Sequence, residues 1–184
     1  MNADTRFPGF PAPAAGFEAP LEMLAACHGR IEKQCATLRR LPPHLAAHGA
    51  DADARAAALA VLRYFDDAAL KHHADEEVDL FPALIESMAG SDAVCIHDLT
   101  RRLASEHRQL EAAWRCLRPA LEGIAAGTAQ GLDGEAVEAY ASLYESHMAL
   151  EEQELLPMAA RLLSDGELDM VGRAMRERRG IREV

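Results

Sequence analysis

Apolar residues recur at alternating intervals of three and four along four stretches of the chain, which is the spacing of helices that bury one face. The first stretch begins at Pro20, a favourable first residue of a helix, and we expect Pro42 and Pro43 to end or kink it. The second begins near residues 51–53, whose acidic side chains suit a helix N-terminus, and should stop near Gly90. Both stretches predict long amphipathic helices.

The second half of the chain repeats this organisation. Residues 91–92 resemble the cap of a third helix, which Pro119 should bend, and a fourth helix should start near Gly134. We expect residues 165–166 to end the fourth helix. An amphipathic segment at residues 168–175 then predicts a short fifth helix packed outside the others.

The predicted fold class is all-α, an up-down-up-down four-helix bundle, because the connections between the helices are short. We assign residues 20–165 to this bundle. Residues 1–20 contain four prolines and two glycines and predict an extended Pro-rich arm. Residues 166–184 form the predicted short C-terminal helix and tail.

One motif occurs in both the second and the fourth predicted helix. It reads His-x-x-x-Glu-Glu-x-x-Leu-(Phe/Leu)-Pro, from His72 to Pro82 and again from His147 to Pro157. Residues four apart lie on one face of a helix, so each copy points an imidazole and a carboxylate the same way. Each proline costs a backbone hydrogen bond inside its helix, and its recurrence supports the equivalence of the two copies.

A lone histidine occupies a core position in each of the other two predicted helices. These residues are His28 and His107, and a leucine precedes each of them by one helical turn, at Leu24 and Leu103. The two stretches align when His28 is matched to His107. The chain is therefore predicted to be a doubled helical hairpin, in which a lone-histidine helix precedes a helix with the longer motif.

Six polar side chains would thus lie on the stripes that face the core: His28, His72, Glu76, His107, His147 and Glu151. We choose His72 and Glu76 over His73 and Glu77 because only the former pair falls on the stripe. Burying four imidazoles and two carboxylates costs several kcal/mol per charged group unless a partner neutralises them. A metal ion is such a partner, because it binds neutral imidazole and carboxylate. The six residues predict a buried metal site.

The type and number of these ligands favour two octahedral metals over one tetrahedral zinc, because six residues are too many for zinc and none is a thiolate. Two irons, bridged by the carboxylates and by an oxo or hydroxo group, would each keep about one open position. Zinc or manganese could substitute for iron. Ferritin-like oxidases use glutamates on the lone-ligand helices and Glu-x-x-His on the paired ones, so His28 and His107 argue against that class.

The two motif copies and the lone histidines, in register, resemble the hemerythrin-like, cation-binding HHE family over roughly residues 20–165. This resemblance implies a non-haem di-iron centre inside the bundle. It also implies that Glu76 and Glu151 bridge the two irons. The terminal ligands that it implies are His28, His72, His107 and His147.

The pattern departs from the oxygen-carrying hemerythrins at two positions. Those proteins have a second histidine on the third helix, where this chain has Leu103, and an aspartate five residues after the fourth-helix histidine, where this chain has Glu151 four residues after His147. The four-His, two-Glu set is more similar to di-iron proteins linked to iron-sulfur-cluster repair and to nitric oxide or oxygen response. These departures argue against simple reversible carriage of O2.

Residues beside the six receive weaker predictions. His73, Glu77 and Glu152 either orient the ligands or are exposed to solvent. Tyr144, one turn before His147, is either a core tyrosine or part of the pocket. Cys27, beside His28, is more simply a boundary residue than a redox-sensitive thiol.

Composition and charge narrow the range of partners. A formal net charge of −11 argues against nucleic-acid or anionic-membrane binding, which needs a basic face. The chain has neither a secretory signal nor an apolar stretch of about 20 residues, so a cytoplasmic location is expected. Its four cysteines show no Cys-x-x-Cys spacing, so a zinc ribbon or thiol redox pair is not indicated.

Three functional hypotheses share the predicted site. The first is a protein that binds or senses O2 or NO, or handles iron. The second is a di-iron enzyme, acting in iron-sulfur-cluster repair or in the reduction of NO or peroxide. The third is a bundle in which the metal is only structural. The sequence favours binding or sensing over catalysis and names no protein partner.

Overall fold

The computed structural model describes residues 16–87, 93–129 and 131–181, and within these ranges the chain forms helices and no strands. We number five helices in chain order. Helix α1 is Pro20–His48, α2 covers residues 52–87, α3 is Ala93–Ala126, α4 covers residues 134–162, and α5 is Asp165–Arg178. The predicted cap at residues 91–92 and residues 1–15 of the Pro-rich arm lie outside the described part of the chain.

Helix α1 continues past its two prolines. Pro42 and Pro43 lie inside the helix, which ends only at His48, so the prediction that they could end it is wrong. The buried side chain of Leu45 holds the last turns against the core. Gly49 closes the helix with φ 68°, a left-handed conformation suited to glycine, while its N–H donates to the Leu45 carbonyl at 2.8 Å.

Helices α2 and α4 both contain a π-helical turn at the glutamates of the motif, Asp75–Leu80 in α2 and Glu151–Leu155 in α4. In each turn the carbonyl of the inner glutamate, Glu76 or Glu151, accepts from an N–H five residues later instead of four. The proline of each motif is the second residue after this turn, next to the place where the α-helical bonding pattern is interrupted. The recurrent prolines therefore mark two equivalent widened turns.

The four long helices pack as a bundle in which α1 and α3 each contact both α2 and α4. Two apolar clusters fill its core. One is rich in aromatic residues and includes Phe65, Trp114 and Tyr140, and the other is mainly aliphatic and includes Leu24 and Leu103. The six predicted polar residues lie along the same inner faces as these clusters.

Helix α5 packs against α1 and against the π-helical turn of α2. Ser164 caps its first turn and Glu167 completes a capping box. The prediction that residues 165–166 end α4 is wrong, because α4 ends at Leu162 and these two residues start α5. None of the helices in the described ranges is long and apolar enough to cross a membrane.

Candidate metal centre

Six buried side chains from four helices converge in the bundle, and each is exposed by 1% or less: His28, His72, Glu76, His107, His147 and Glu151. They are the six residues that the sequence pattern selects. Helices α1 and α3 contribute one histidine each, and α2 and α4 contribute one histidine and one glutamate each. The structure brings all six together.

The two carboxylates each face two histidines with separate oxygens. Glu151 places Oε1 3.1 Å from His147 Nε2 and Oε2 3.1 Å from His28 Nε2. Glu76 places Oε1 3.5 Å from His72 Nε2 and Oε2 3.3 Å from His107 Nε2. Each carboxylate therefore lies between two pairs of histidines, His28 with His72 and His107 with His147, and directs one oxygen toward each pair.

This arrangement creates two adjacent groups of potential metal ligands that share both glutamates. In each group every residue offers one ligand atom, a histidine nitrogen or a carboxylate oxygen, and these four atoms all lie within 4.8 Å of one another. The first group adds His28 and His72 to the glutamates, and the second adds His107 and His147. Two nitrogens and two carboxylates in each group form a ligand set that iron, zinc or manganese can accept.

The hydrogen bonding of these residues fits a bound cation. Ten side-chain nitrogen and oxygen atoms in the described ranges are buried without a hydrogen-bond partner, and all belong to the six residues or to His73. Both oxygens of each glutamate are among them. Leaving such groups unpaired in a core costs several kcal/mol, whereas coordination to a metal satisfies them together.

Three outer glutamates fix the orientation of three imidazoles. Glu152 Oε1 lies 2.9 Å from His28 Nδ1, and Glu77 Oε1 lies 2.7 Å from His107 Nδ1. A carboxylate can only accept, so Nδ1 carries the proton and the Nε2 lone pair points into the centre. The second glutamate of each motif thus contacts the lone histidine of the other half of the chain.

The third outer contact joins Glu106 Oε2 to His147 Nδ1 at 3.0 Å. Glu106 was missed by the sequence reasoning, although it directly precedes the core histidine His107 and so is placed near the site. His72 has no corresponding contact, because neither of its ring nitrogens has a hydrogen-bond partner within the described ranges.

The pKa values in the centre reflect burial and the shared glutamates. Burial and the facing Glu151 raise the pKa of Glu76 well above its usual value. Burial also acts to raise the pKa of Glu151, but contacts with His147 and His28 outweigh it and hold this pKa well below the usual value. Burial lowers the pKa of His72 to about 3, so this imidazole is neutral at ordinary pH.

Burial also lowers the pKa values of His28 and His147, but their contact with Glu151 outweighs it and the net direction is upward. A metal ion bound between these Nε2 atoms and Glu151 would neutralise the carboxylate without any proton on Nε2.

His73 is also part of the buried cluster. It is 5% exposed, its ring stacks on His107 with centroids 4.0 Å apart, and burial holds its pKa well below the usual value. His73, His107 and His147 form a third group with nitrogens within 4.8 Å of one another. A signal existed in the sequence, because His73 lies four residues after buried Ala69 and so belongs to a wider apolar stripe.

Tyr144 lies beside this fifth imidazole. It is 2% exposed, and its Oη is 3.4 Å from His73 Nε2. A cavity of about 260 Å³ adjoins both residues and is lined further by side chains of α2, α3 and α4. By contrast, His44 lies outside these groups and pairs with Asp51 at 3.0 Å.

Comparison with known proteins agrees with this site. The sequence profile of the family described as "Hemerythrin HHE cation binding domain" matches residues 19–159, which include all six convergent residues. A protein of Haemophilus influenzae, described only as uncharacterized, is 34% identical over 173 residues, covering 94% of this chain and 97% of that protein. The chain belongs to the hemerythrin HHE cation-binding family.

Proposed function

We propose that this chain is a non-haem di-iron protein that binds or senses O2 or NO, or handles iron, within an up-down-up-down four-helix bundle. The observation that supports it best is the placement of Glu76 and Glu151. The two oxygens of each carboxylate face histidines of different ligand groups. A carboxylate in this position suits a bridge between two metal ions better than a ligand of one.

The residues proposed to hold the metals divide into two bridges and four terminal ligands. Glu76 and Glu151 would be shared by both irons, His28 and His72 would hold one iron, and His107 and His147 would hold the other. Nitrogen and oxygen ligation suits iron, and zinc or manganese could substitute. Two bound irons would supply reversible redox chemistry and positions open to a diatomic ligand.

The protein contributes orientation and exclusion of water. The outer glutamates hold the Nδ1 protons of three imidazoles, so their Nε2 atoms are directed inward before any metal binds. The near-complete burial of all six residues keeps bulk water from competing for the ligands. Burial of this kind supports a site that admits small neutral molecules in preference to charged ones.

Metal content in three single variants tests the ligand assignment. His72→Ala and His147→Ala should each lose one metal equivalent or more, because each removes a terminal ligand from a buried site. His44→Ala is the matched control, since His44 is a histidine outside the convergent groups. Metal analysis of purified, iron-reconstituted protein gives the result, and equal content in all three variants would refute the assignment.

Titration of O2 and NO into anaerobic, iron-loaded protein tests the proposed use of the centre. A saturable change in visible absorption is expected with at least one of the two gases. Rapid autoxidation with consumption of added peroxide would favour the enzyme alternative, reduction of NO or peroxide. If the protein loads zinc alone and shows no spectral response to either gas, both the binding or sensing function and the enzyme alternative are contradicted. The metal would then have only a structural role.

A further inference from the structure

The cavity beside His73 is larger than a diatomic ligand requires. Its volume is about 260 Å³, and it is lined by residues that include Phe65, Ala69, Leu70, His73, Trp114 and Tyr144. A molecule of water occupies roughly 30 Å³ in the liquid, and an apolar protein cavity of about 150 Å³ can bind benzene. The cavity therefore has room for an organic molecule with at least one ring.

A difference between the two repeats creates this space. When the two motif copies are aligned through His72 and His147, Tyr144 in α4 corresponds to Ala69 in α2. Ala69 leaves open the volume that a tyrosine side chain would fill. The ring of Phe65 forms one wall of the cavity, and its centroid lies 5.0 Å from that of Trp114 and 5.5 Å from that of Tyr144. The walls are thus largely aromatic and suit an apolar ring.

The polar groups of the cavity lie at its two ends. His73 and Tyr144 are buried and mark the inner end, whereas exposed Leu70 and Arg115 and half-buried Glu111 mark the mouth. His73 Nδ1 is buried without a hydrogen-bond partner within the described ranges. The same ring stacks on that of a proposed metal ligand on α3. A molecule that reaches the inner end therefore meets the His73 side chain, which keeps one ring nitrogen without a partner and stacks on His107.

We propose that this cavity binds a small organic molecule that has one ring, or an alkyl body of similar size, and a single hydroxyl-type head that pairs with His73. Binding itself requires no metal. The role of this molecule as a substrate or effector of the metal centre rests on the proposed function, because only then does His73 connect it to a reactive site.

Cyclohexanol is a suitable probe, because it has the proposed shape and does not absorb where tryptophan is excited. Trp114 is the one tryptophan of the sequence and lines the cavity, so its emission reports occupancy directly. We expect a saturable change in emission with cyclohexanol and none with glycerol. Ala69→Leu fills the cavity and should weaken binding at least about tenfold. No saturable change in the wild-type protein would overturn the proposal.

A second pair of variants tests the cavity in case Ala69→Leu does not fold. Leu70→Phe narrows the mouth, while Leu59→Phe makes the same change at a leucine of α2 that lies outside the cavity lining; both leucines are 47% exposed. The first should weaken cyclohexanol binding several-fold and the second should not. Equal binding by both variants and by Ala69→Leu, with helical content intact, would place the probe elsewhere.

Nuclear Overhauser contacts in zinc-loaded protein locate the probe. We expect contacts from cyclohexanol to ring protons of His73 and none to those of His44. Metal content is measured in the same samples, so the two hypotheses fail separately. Cyclohexanol binding without bound metal would contradict the proposed function alone, whereas full metal content without cyclohexanol binding would contradict the cavity proposal alone.

Discussion

The two motif helices place equivalent side chains at the centre but differ in what surrounds them. The inner glutamates, Glu76 and Glu151, occupy matching positions, and the outer ones act reciprocally. Glu77 of the first copy contacts His107, and Glu152 of the second contacts His28. The doubled Glu-Glu of the motif thus has one chemical explanation in both copies: the first carboxylate enters the centre and the second orients a histidine of the other half.

The copies differ most clearly beside the inner glutamate. The residue before Glu76 is Asp75, which is fully buried and paired with Arg178, the last residue of α5, and with the adjacent Arg179, whereas the residue before Glu151 is Leu150. Helix α5 therefore covers the π-helical turn of the first copy through ion pairs that the second copy lacks. The two copies are therefore alike at the centre, and at this position only the first copy carries a carboxylate that pairs with the end of α5.

The copies also differ in support for their imidazoles. His147 is held by Glu106, but His72 has no hydrogen-bond partner on either ring nitrogen within the described ranges. When the lone histidines, His28 and His107, are aligned, the position equivalent to Glu106 is Cys27. His72 therefore has no carboxylate partner because the first half has the thiol of Cys27 at the position where the second half has Glu106.

The largest effect is expected from breaking the contact that only the first copy has. Arg178→Ala combined with Arg179→Ala leaves the Asp75 carboxylate buried without its cationic partners. The free energy of unfolding should fall by about 3 kcal/mol, the typical result of removing one side of a buried ion pair. Chemical denaturation of metal-loaded protein measures it.

Arg173→Ala is the control for this prediction. Arg173 also lies on α5, but it is exposed, and among the described residues its side chain bonds only the carbonyl of Asp169 in its own helix, at 3.4 Å. Its loss should change stability by no more than about 0.5 kcal/mol. If the double variant behaved like this control, the ion pairs would not hold α5 on the first copy.

A smaller effect is expected from removing the support that only the second copy has. Glu106→Ala should weaken binding of the metal that His107 and His147 are proposed to hold by about 10–100-fold, because His147 loses the partner that fixes its ring. Competitive titration against a chelator measures the affinity. Arg102→Ala is the control, since it removes the surface contact of Glu106 at 2.9 Å but leaves His147 paired. Equal affinity in the two variants would contradict a supporting role for Glu106.

The sequence pattern was sufficient for the helices and for the residues that converge. Apolar spacing placed the starts of α1 and α4, and the motif selected the six buried side chains, because both depend on periodicity along a single helix. The same pattern allowed an end or a kink of α1 at Pro42 and Pro43, and an end there is wrong, because a buried residue beyond the prolines, Leu45, stabilises turns that local propensity disfavours.

Contacts between helices were harder to predict. His73 lies at the edge of the apolar stripe of α2, and its packing against His107 of α3 shows that it is an inner residue. Glu106 resembles any other charge on a helix surface until α4 brings His147 against it. Asp75 is similar, because its burial requires two arginines at the C-terminal end of α5, far along the chain. In each case the residue that makes the contact lies on another helix, far away in the sequence. The periodicity of a single helix therefore gives no information about that contact.

The smallest effect is expected from making the two halves alike. Cys27→Glu gives the first half the carboxylate found at Glu106, and it should increase affinity for the metal held by His28 and His72 by up to about tenfold. Arg30, whose Nη2 now lies 2.8 Å from Cys27 Sγ, can balance the added charge.

Cys27→Asp is the shorter alternative if glutamate overpacks this buried position, and Cys27→Ser is the control that adds polarity without charge. The same chelator titration applies, with thermal unfolding to confirm that each variant is folded. If both carboxylate variants fold and bind metal no more tightly than the serine variant, the missing partner of His72 does not limit its affinity. The asymmetry between the halves would then lie in their packing alone, since the inner ligands are the same on both sides.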